Sequence, residues 1–244
     1  MFVLLRKEIG SFFSSITGYI VVIVFLLINS LFMFIFPGEF NLLDAGYANL
    51  DTLFIISPWV FLFLVPAITM RLFSDEKKSG TIELLLTRPL SDFTIVLAKF
   101  LTGLTLVLFS LLPTLIYYVS IYILGNPVGN LDSGGIFGSY IGLFFLAGIY
   151  VSIGLLASSI TDNQIVSFIF SMILCFVLYF GFDAVSSLPM FKNMDTLLVN
   201  IGINEHYRSV SRGVVDSRDV IYFVSVIAVF LFFTKTVLSR RKWK

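Results

Sequence analysis

The chain has 244 residues, of which 58% are hydrophobic and 13% are charged, and its formal net charge is +1. Soluble domains average about 45–50% apolar and about 25% charged residues, so this composition excludes an ordinary soluble fold and predicts an integral membrane protein. The single cysteine, Cys175, lies within an apolar run. We expect it to pack there, because a lone thiol in a membrane segment indicates neither a disulfide nor a metal site.

Residues 1–17 have the pattern of an amphipathic helix. Their apolar side chains recur at spacings of three and four residues, at Phe2, Leu5, Ile9, Phe12 and Ile16. We predict a helix that lies in the membrane interface, and the alternative is a frayed start of the first span. The apolar run that follows covers 19 residues and no small-residue cleavage site comes after it, so it predicts an uncleaved membrane helix instead of a signal peptide.

Six apolar segments are long enough to cross a bilayer, for which a helix needs about 20 residues. In chain order they are Gly18–Phe36, Thr52–Met70, Phe100–Leu124, Tyr140–Ile160, Ile165–Phe182 and Val220–Thr234. None of these segments contains Asp, Glu, Lys, Arg or His. Only a short polar run separates the fourth segment from the fifth, and a continuous helix there would bury Asp162. The sequence therefore predicts a single all-α transmembrane domain with six spans over residues 1–244.

The basic residues are distributed unevenly between the two sides that six spans define. Twelve lie on the side of the two termini, namely Arg6, Lys7, Arg71, Lys77, Lys78, Arg88, Lys99, Lys235, Arg240, Arg241, Lys242 and Lys244. The other four lie in the loop before the last span, namely Lys192, Arg208, Arg212 and Arg218. Because Lys and Arg are enriched in cytoplasmic loops, this distribution predicts that both termini are cytoplasmic.

The segment between the second and third spans, residues 71–91, carries the most specific pattern, and we name it the elbow. Lys77 and Lys78 suit the carbonyl end of a helix that continues from the second span, where cations are favoured. Gly80 is the usual residue just after such an end, because it adopts the left-handed conformation easily. The second span is therefore predicted to continue beyond the bilayer as far as Gly80.

A second, short helix is predicted within the elbow. Thr81 is suited to cap it, and Pro89 prevents it from extending far. In the simplest interpretation, its apolar cluster over residues 82–86 rests on lipid or on the N-terminal helix. The alternative is that a partner pushes on this rigid elbow and moves two spans together. Ser91 then caps the third long helix, and Lys99 marks the point at which that helix enters the bilayer.

These residues resemble the signature of a known family. The run Gly80-Thr81-Ile82-Glu83-Leu84-Leu85-Leu86, with Glu76 before it and Pro89-Leu90-Ser91 and Lys99 after it, is similar to the E…GTLELLL…P(V/L)S…K signature of type-2 ABC exporter permeases. Further likenesses lie in Arg6-Lys7-Glu8 with Phe12-Phe13, in residues 158–164, in His206-Tyr207 and in residues 212–216. Within the family, the loops most resemble the gliding-motility-associated permease subunit of the GldF type.

The resemblance implies the type-2 exporter permease fold, with the short helix of the elbow seated in a groove of a separate ATPase. The implied coupling residues are Glu76, Gly80, Thr81, Ile82, Glu83, Leu84, Leu85, Leu86 and Arg88, and the implied flanking residues of the interfacial helix are Arg6, Lys7 and Glu8. In this interpretation Glu83 offers charge, the leucines supply buried area and Gly80 makes the sharp turn. Residues 183–219 are expected to form short helices at the external membrane face.

The resemblance also implies the partners. We expect a dimeric ABC ATPase, together with a second copy of this chain or a different membrane subunit, in the inner membrane of a bacterial cell. The chain has no G-x-x-x-x-G-K-[ST] motif, so we expect it to bind no cofactor, with ATP and Mg on the partner ATPase. No nucleic-acid partner is expected. The predicted function is to couple ATP hydrolysis to export or to gliding-motility machinery.

Other function classes lack the residues that they require. Ion-coupled carriers generally need ionisable groups within the membrane, and the predicted spans contain none. An intramembrane protease would need a Ser nucleophile and a His base in the bilayer, whereas His206 is expected to be an exposed loop residue. We therefore predict that the chain is not an enzyme. The alternative left open is a structural scaffold subunit of a motility or secretion complex, with no solute transport of its own.

Overall fold

The computed structural model describes residues 2–83, 91–189 and 195–241, and every regular element within these ranges is helical. The helices are α1 (Phe2–Phe13), α2 (Ile16–Ser30), α3 (Leu42–Ala45), α4 (Asp51–Thr69), α5 (Arg71–Lys78), α6 (Asp92–Leu111), α7 (Leu115–Leu124), α8 (Ser133–Ile160), α9 (Gln164–Phe176), α10 (Phe182–Ser186), α11 (Asp195–Ile201), α12 (Ile203–Val210) and α13 (Ser217–Arg241). A π-helical turn extends α2 over Leu31–Ile35, and another extends α9 over Val177–Gly181. A 3₁₀ turn, Leu112–Thr114, joins α6 to α7.

The prediction of six spans is confirmed, since the described ranges hold six helices that are long and apolar enough to cross a membrane. They are Gly18–Ile35, Asp51–Lys78, Asp92–Leu124, Ser133–Ile160, Gln164–Ser186 and Ser217–Arg240. The chain alternates between two faces of this bundle. We name the face that holds the elbow the elbow face and the other the opposite face.

Side-chain caps set where several helices begin. Ser91 Oγ accepts a hydrogen bond from Thr94 N–H at 3.2 Å, as the sequence predicts, so the third span begins eight residues before the predicted Phe100. Asp132 caps α8 through Gly135 N–H at 3.0 Å, and Asn163 caps α9 through Ile165 N–H at 2.9 Å. The predicted break between the fourth and fifth spans is confirmed, because α8 ends at Ile160 and α9 begins at Gln164.

Helix α8 lies at the centre of the bundle, where it packs against α4, α6, α9 and α13. Its middle is fully buried and rich in small residues, which let neighbouring helices approach closely. At Gly154 the approach leaves no room for a side chain, because a methyl group there would lie 2.7 Å from Thr69 Cβ on α4. The small residues of α8 therefore serve its close packing against α4.

Replacing Gly154 with alanine is expected to lower the free energy of unfolding by about 1–3 kcal/mol, because the added methyl group forces α4 and α8 apart. Gly10 is a matched control, since nothing lies within 4 Å of a Cβ built there and alanine favours a helix interior. Thermal unfolding of the purified variants in detergent measures both effects. A Gly154→Ala variant as stable as the Gly10→Ala variant would contradict the described α4–α8 contact.

The outer helices α2, α9 and α13 leave many large apolar side chains exposed, as expected for surfaces that face lipid chains. Between α2 and α4 lies an open apolar groove of about 660 Å³, which Phe168 of α9 also lines. Trp59 and Phe63 are among its exposed side chains. The core of the bundle therefore consists of α4, α6 and α8, with the other spans around it.

On the opposite face, a tyrosine supplies a hydrogen bond that a proline removes from α4. Pro58 has no N–H, so the carbonyl of Phe54 lacks its usual helical donor. The hydroxyl of Tyr207 on α12 donates to that carbonyl oxygen at 2.6 Å. Burial raises the pKa of the Tyr207 phenol well above its usual value, so the hydroxyl keeps the proton that it donates. The segment before the last span is thereby joined to the second span.

The expectation that His206 is an exposed loop residue is wrong. It lies on α12, with Nδ1 2.7 Å from Asp219 Oδ1 and Nε2 2.9 Å from the Asn200 carbonyl oxygen. Its ring stacks on Tyr222, with 3.8 Å between the ring centroids. Asp219 and Tyr222 belong to α13, more than ten residues farther along the chain, so only the docking of α12 on α13 brings these groups together.

Candidate functional site: a buried charge cluster beneath the elbow

Lys99 of α6 is the centre of a charge cluster on the elbow face. Its side chain is 0% exposed, and its Nζ lies 2.9 Å from Glu76 Oε2 on α5 and 3.3 Å from Glu8 Oε1 on α1. The same ammonium donates to the carbonyl oxygen of Leu72 and lies 4.9 Å from the ring centroid of Phe73. One cation thus connects three helices that are far apart in the sequence.

The charges of this cluster depend on one another because they are withdrawn from water. The side chains of Glu8 and Glu76 are only 14% and 13% exposed, so each carboxylate needs the ammonium of Lys99 to offset its loss of hydration. Lys7 adds a weaker contribution, since its Nζ is 3.9 Å from Glu8 Oε1 and its side chain is 67% exposed. We conclude that α1, α5 and α6 are held in one arrangement at this point.

A second set of contacts fixes α5 to the turn between the fourth and fifth spans. Lys77 Nζ donates to the carbonyl oxygen of Ser159 at the end of α8, and Gln164 Nε2 at the start of α9 donates to Asp75 Oδ1. The base of the elbow therefore contacts four other helices through charged or polar side chains, which are α1, α6, α8 and α9.

Beyond this base, the described tip of the elbow is exposed. Gly80 ends α5 in the left-handed conformation, with φ of 72°, as the sequence predicts. The hydroxyls of Ser79 and Thr81 lie 2.9 Å apart, and both residues are exposed, as is Glu83. Ile82 is buried at 4% exposure. The described part of the tip thus presents a backbone turn, hydroxyls and the carboxylate of Glu83 at the surface.

The structure separates the predicted site residues into groups. Gly80, Thr81 and Glu83 form the exposed tip, while Glu76 and Ile82 face inward. Arg6 and Lys7 are exposed on α1, whereas Glu8 turns toward Lys99. The predictions for Leu84, Leu85, Leu86 and Arg88 lie outside the described residues.

Sequence reasoning missed the role of Lys99. The sequence places Lys99 in the family signature and at the point where the third span enters the bilayer, whereas the structure buries it fully among carboxylates. A signal is present in the sequence, because Ala98 and Phe100 beside it are apolar and Glu8 and Glu76 lie in neighbouring helices. The described residues contain no group of three or more His, Cys, Asp or Glu side chains that is placed to hold a metal ion.

The bundle and its charge cluster define a class: a multi-pass α-helical membrane protein whose second and third spans extend beyond the apolar core into an ion-paired elbow. The profile of the family described as ABC-2 family transporter protein matches residues 21–243. The chain therefore belongs to this family and is a permease subunit of an ABC transporter. No curated protein matches the chain.

Proposed function

We propose that this subunit couples ATP hydrolysis by a separate ABC ATPase to a conformational change in the membrane, and that the ATPase contacts the elbow. The observation that carries the proposal is the ion pair between Lys99 of α6 and Glu76 of α5. It lies just below the tip and joins the two helices that enter and leave the elbow. A force applied to the tip is therefore transmitted to the second and third spans together.

The chemistry of the tip supports a protein contact. Glu83 is an exposed carboxylate next to a sharp turn at Gly80, and Arg6 and Lys7 are exposed on the adjacent α1. Such a mixed polar rim favours recognition of a specific partner surface through complementary charge. In this proposal both termini and the elbow are cytoplasmic, the membrane is the bacterial inner membrane, and ATP and Mg bind to the ATPase dimer. The conformational change then drives either the export of a compound or a gliding-motility machinery.

Reversing the charge of Glu83 tests the contact. Glu83→Arg is expected to reduce the amount of ATPase that co-purifies with the membrane subunit by about tenfold, equivalent to about 1.4 kcal/mol of binding free energy. Glu39→Arg is the matched control, because Glu39 is an exposed glutamate on the opposite face. Equal retention of the ATPase by both variants would overturn the proposed contact. A structural scaffold, the alternative function, predicts that the wild-type chain retains no ATPase.

The proposed orientation is tested with single cysteines in a Cys175→Ser background. Ser217 and Ser79 are both exposed and lie on the opposite face and the elbow face, respectively. A membrane-impermeant thiol reagent added to intact cells is expected to label Ser217→Cys and to leave Ser79→Cys unlabelled until the cells are opened. The reverse pattern would place the elbow outside the cell and would exclude a cytoplasmic ATPase as its partner.

A further inference from the structure

A polar cavity of about 210 Å³ lies between α1 and the end of the second span. From the N-terminal region it is lined by Lys7, Glu8, Ser11, Phe12 and Ser15, and from the second span and α5 by Ile68, Arg71, Leu72, Asp75 and Glu76, with Leu106 of α6 at its base. The spacings of three and four residues show that one face of each helix lines the cavity. Among the described residues of the elbow tip, none lines it.

The two ends of α1 lie at different depths, which gives the cavity a direction. Glu8 is 3.3 Å from Lys99, whereas the ring of Phe13 lies 5.3 Å from the ring of Phe109. Lys99 and Phe109 are ten residues apart on α6, which corresponds to about 15 Å along the helix. Helix α1 is therefore inclined, with its C-terminal end deeper in the bundle than Glu8.

The lining changes from charged to apolar along this direction. The outer end carries Lys7 and Glu8 from α1, with Asp75 and Glu76 from α5. The middle carries Ser11, Arg71 and Leu72, and the deep end carries Phe12, Ile68 and Leu106 together with the polar Ser15. From outside to inside, the lining thus passes from charged groups that are mostly carboxylates, through a guanidinium with a hydroxyl, to mainly apolar side chains.

We infer that this cavity binds the headgroup of a zwitterionic phospholipid that carries a primary amine. The order of groups in such a lipid, from ammonium through phosphate and glycerol to acyl chain, matches the order of the lining. The phosphate lies beside Arg71 and Ser11, because guanidinium and hydroxyl groups donate to phosphate oxygens. The ammonium lies beside Asp75 and Glu76, and the upper acyl chain contacts Phe12 and Ile68.

The charge balance favours a zwitterion over an anion. The lining carries the two cations Lys7 and Arg71 and the three carboxylates of Glu8, Asp75 and Glu76, and the ammonium of Lys99 behind them makes the group neutral overall. An anionic lipid with a neutral headgroup would add a negative charge and leave the carboxylates without a new donor. A quaternary amine has no N–H to donate to those carboxylates, so the primary amine is preferred.

Native mass spectrometry of the purified chain tests this site. The protein is released in mild detergent from vesicles that contain equal amounts of phosphatidylethanolamine, phosphatidylcholine and phosphatidylglycerol, and the retained lipids are counted. We expect at least about fivefold more phosphatidylethanolamine than either other lipid, equivalent to about 1 kcal/mol of preference. Equal retention of the three lipids would overturn the inference.

Three variants localise the binding. Ser11→Ala and Arg71→Gln each remove a donor to the phosphate and are expected to reduce retained phosphatidylethanolamine several-fold, and Asp75→Asn is expected to remove the preference over phosphatidylcholine. Ser11 is exposed, so its variant keeps the test valid even if Arg71→Gln does not fold. Arg208→Gln, an exposed arginine on the opposite face, is the matched control and should retain lipid as the wild type does.

The source of the headgroup is tested separately. Free phosphoethanolamine, which has the headgroup without acyl chains, is expected not to displace the bound lipid, because the deep end of the cavity contacts an acyl chain. Displacement by the free headgroup would overturn the assignment to a membrane lipid. Unchanged lipid retention in both Ser11→Ala and Arg71→Gln would show that the retained lipid binds elsewhere on the chain and would overturn the site.

Discussion

Replacing Lys99 with methionine is expected to lower the free energy of unfolding by about 3–5 kcal/mol, the cost of leaving buried carboxylates without their cation. Methionine has a similar length and no charge, so the change removes the ammonium while keeping most of the volume. Glu8 and Glu76 then remain in a poorly hydrated site, and the carbonyl of Leu72 loses its donor. Denaturant or thermal unfolding in detergent measures the loss.

Two further variants make this prediction specific. Lys78→Met changes an exposed lysine at the end of α5 and is expected to alter stability by no more than about 0.5 kcal/mol. The triple variant Lys99→Met, Glu8→Gln and Glu76→Gln removes all three charges and is expected to recover most of the lost stability, since no uncompensated charge remains. A Lys99→Met variant that unfolds at the wild-type midpoint would show that the cluster is hydrated and does not brace the elbow.

Removing the hydroxyl group is expected to change the free energy of unfolding in opposite directions at two buried tyrosines. The hydroxyl of Tyr150 is fully buried and has no hydrogen-bond partner in the described part of the chain, so Tyr150→Phe is expected to raise the free energy of unfolding by about 1–3 kcal/mol. The hydroxyl of Tyr207 donates to the carbonyl that Pro58 leaves unpaired, so Tyr207→Phe is expected to lower it by about 1–3 kcal/mol.

Each tyrosine serves as the control for the other, because both substitutions remove one oxygen atom from a buried ring. The difference between their unfolding midpoints in the same detergent is therefore insensitive to ring size and to detergent. Two variants that shift stability in the same direction would contradict the assigned partners. A destabilised Tyr150→Phe variant would mean that this hydroxyl does find a partner in the membrane.

The features that the sequence predicts correctly are local ones. Span positions follow from hydropathy over about 20 residues, and the break at residues 161–163 follows from four consecutive polar side chains. The caps at Ser91 and the turn at Gly80 depend on residues within three positions of each helix end. Each of these signals is complete within a short window, so no knowledge of the fold is needed to read it.

The features that it does not predict depend on contacts between distant segments. Lys99 meets Glu8 across more than ninety positions of sequence, and Tyr207 meets Phe54 across about one hundred and fifty. His206 finds Asp219 only because α12 docks on α13. The elbow is intermediate, because its motif marks the exposed tip at Gly80 and Glu83 but does not reveal that Glu76 turns inward.

The second span with its extension, Asp51–Lys78, has 28 residues and is about 42 Å long, which exceeds the thickness of a hydrocarbon core. At its elbow end Glu76 is tied to Lys99, and near its other end the carbonyl of Phe54 is tied to Tyr207. This segment comprises α4 and α5, which meet at Met70, and a side-chain contact holds it near each end. In the proposed coupling, a rotation that begins at the elbow would therefore strain the hydrogen bond from the Tyr207 hydroxyl to the Phe54 carbonyl at the opposite face.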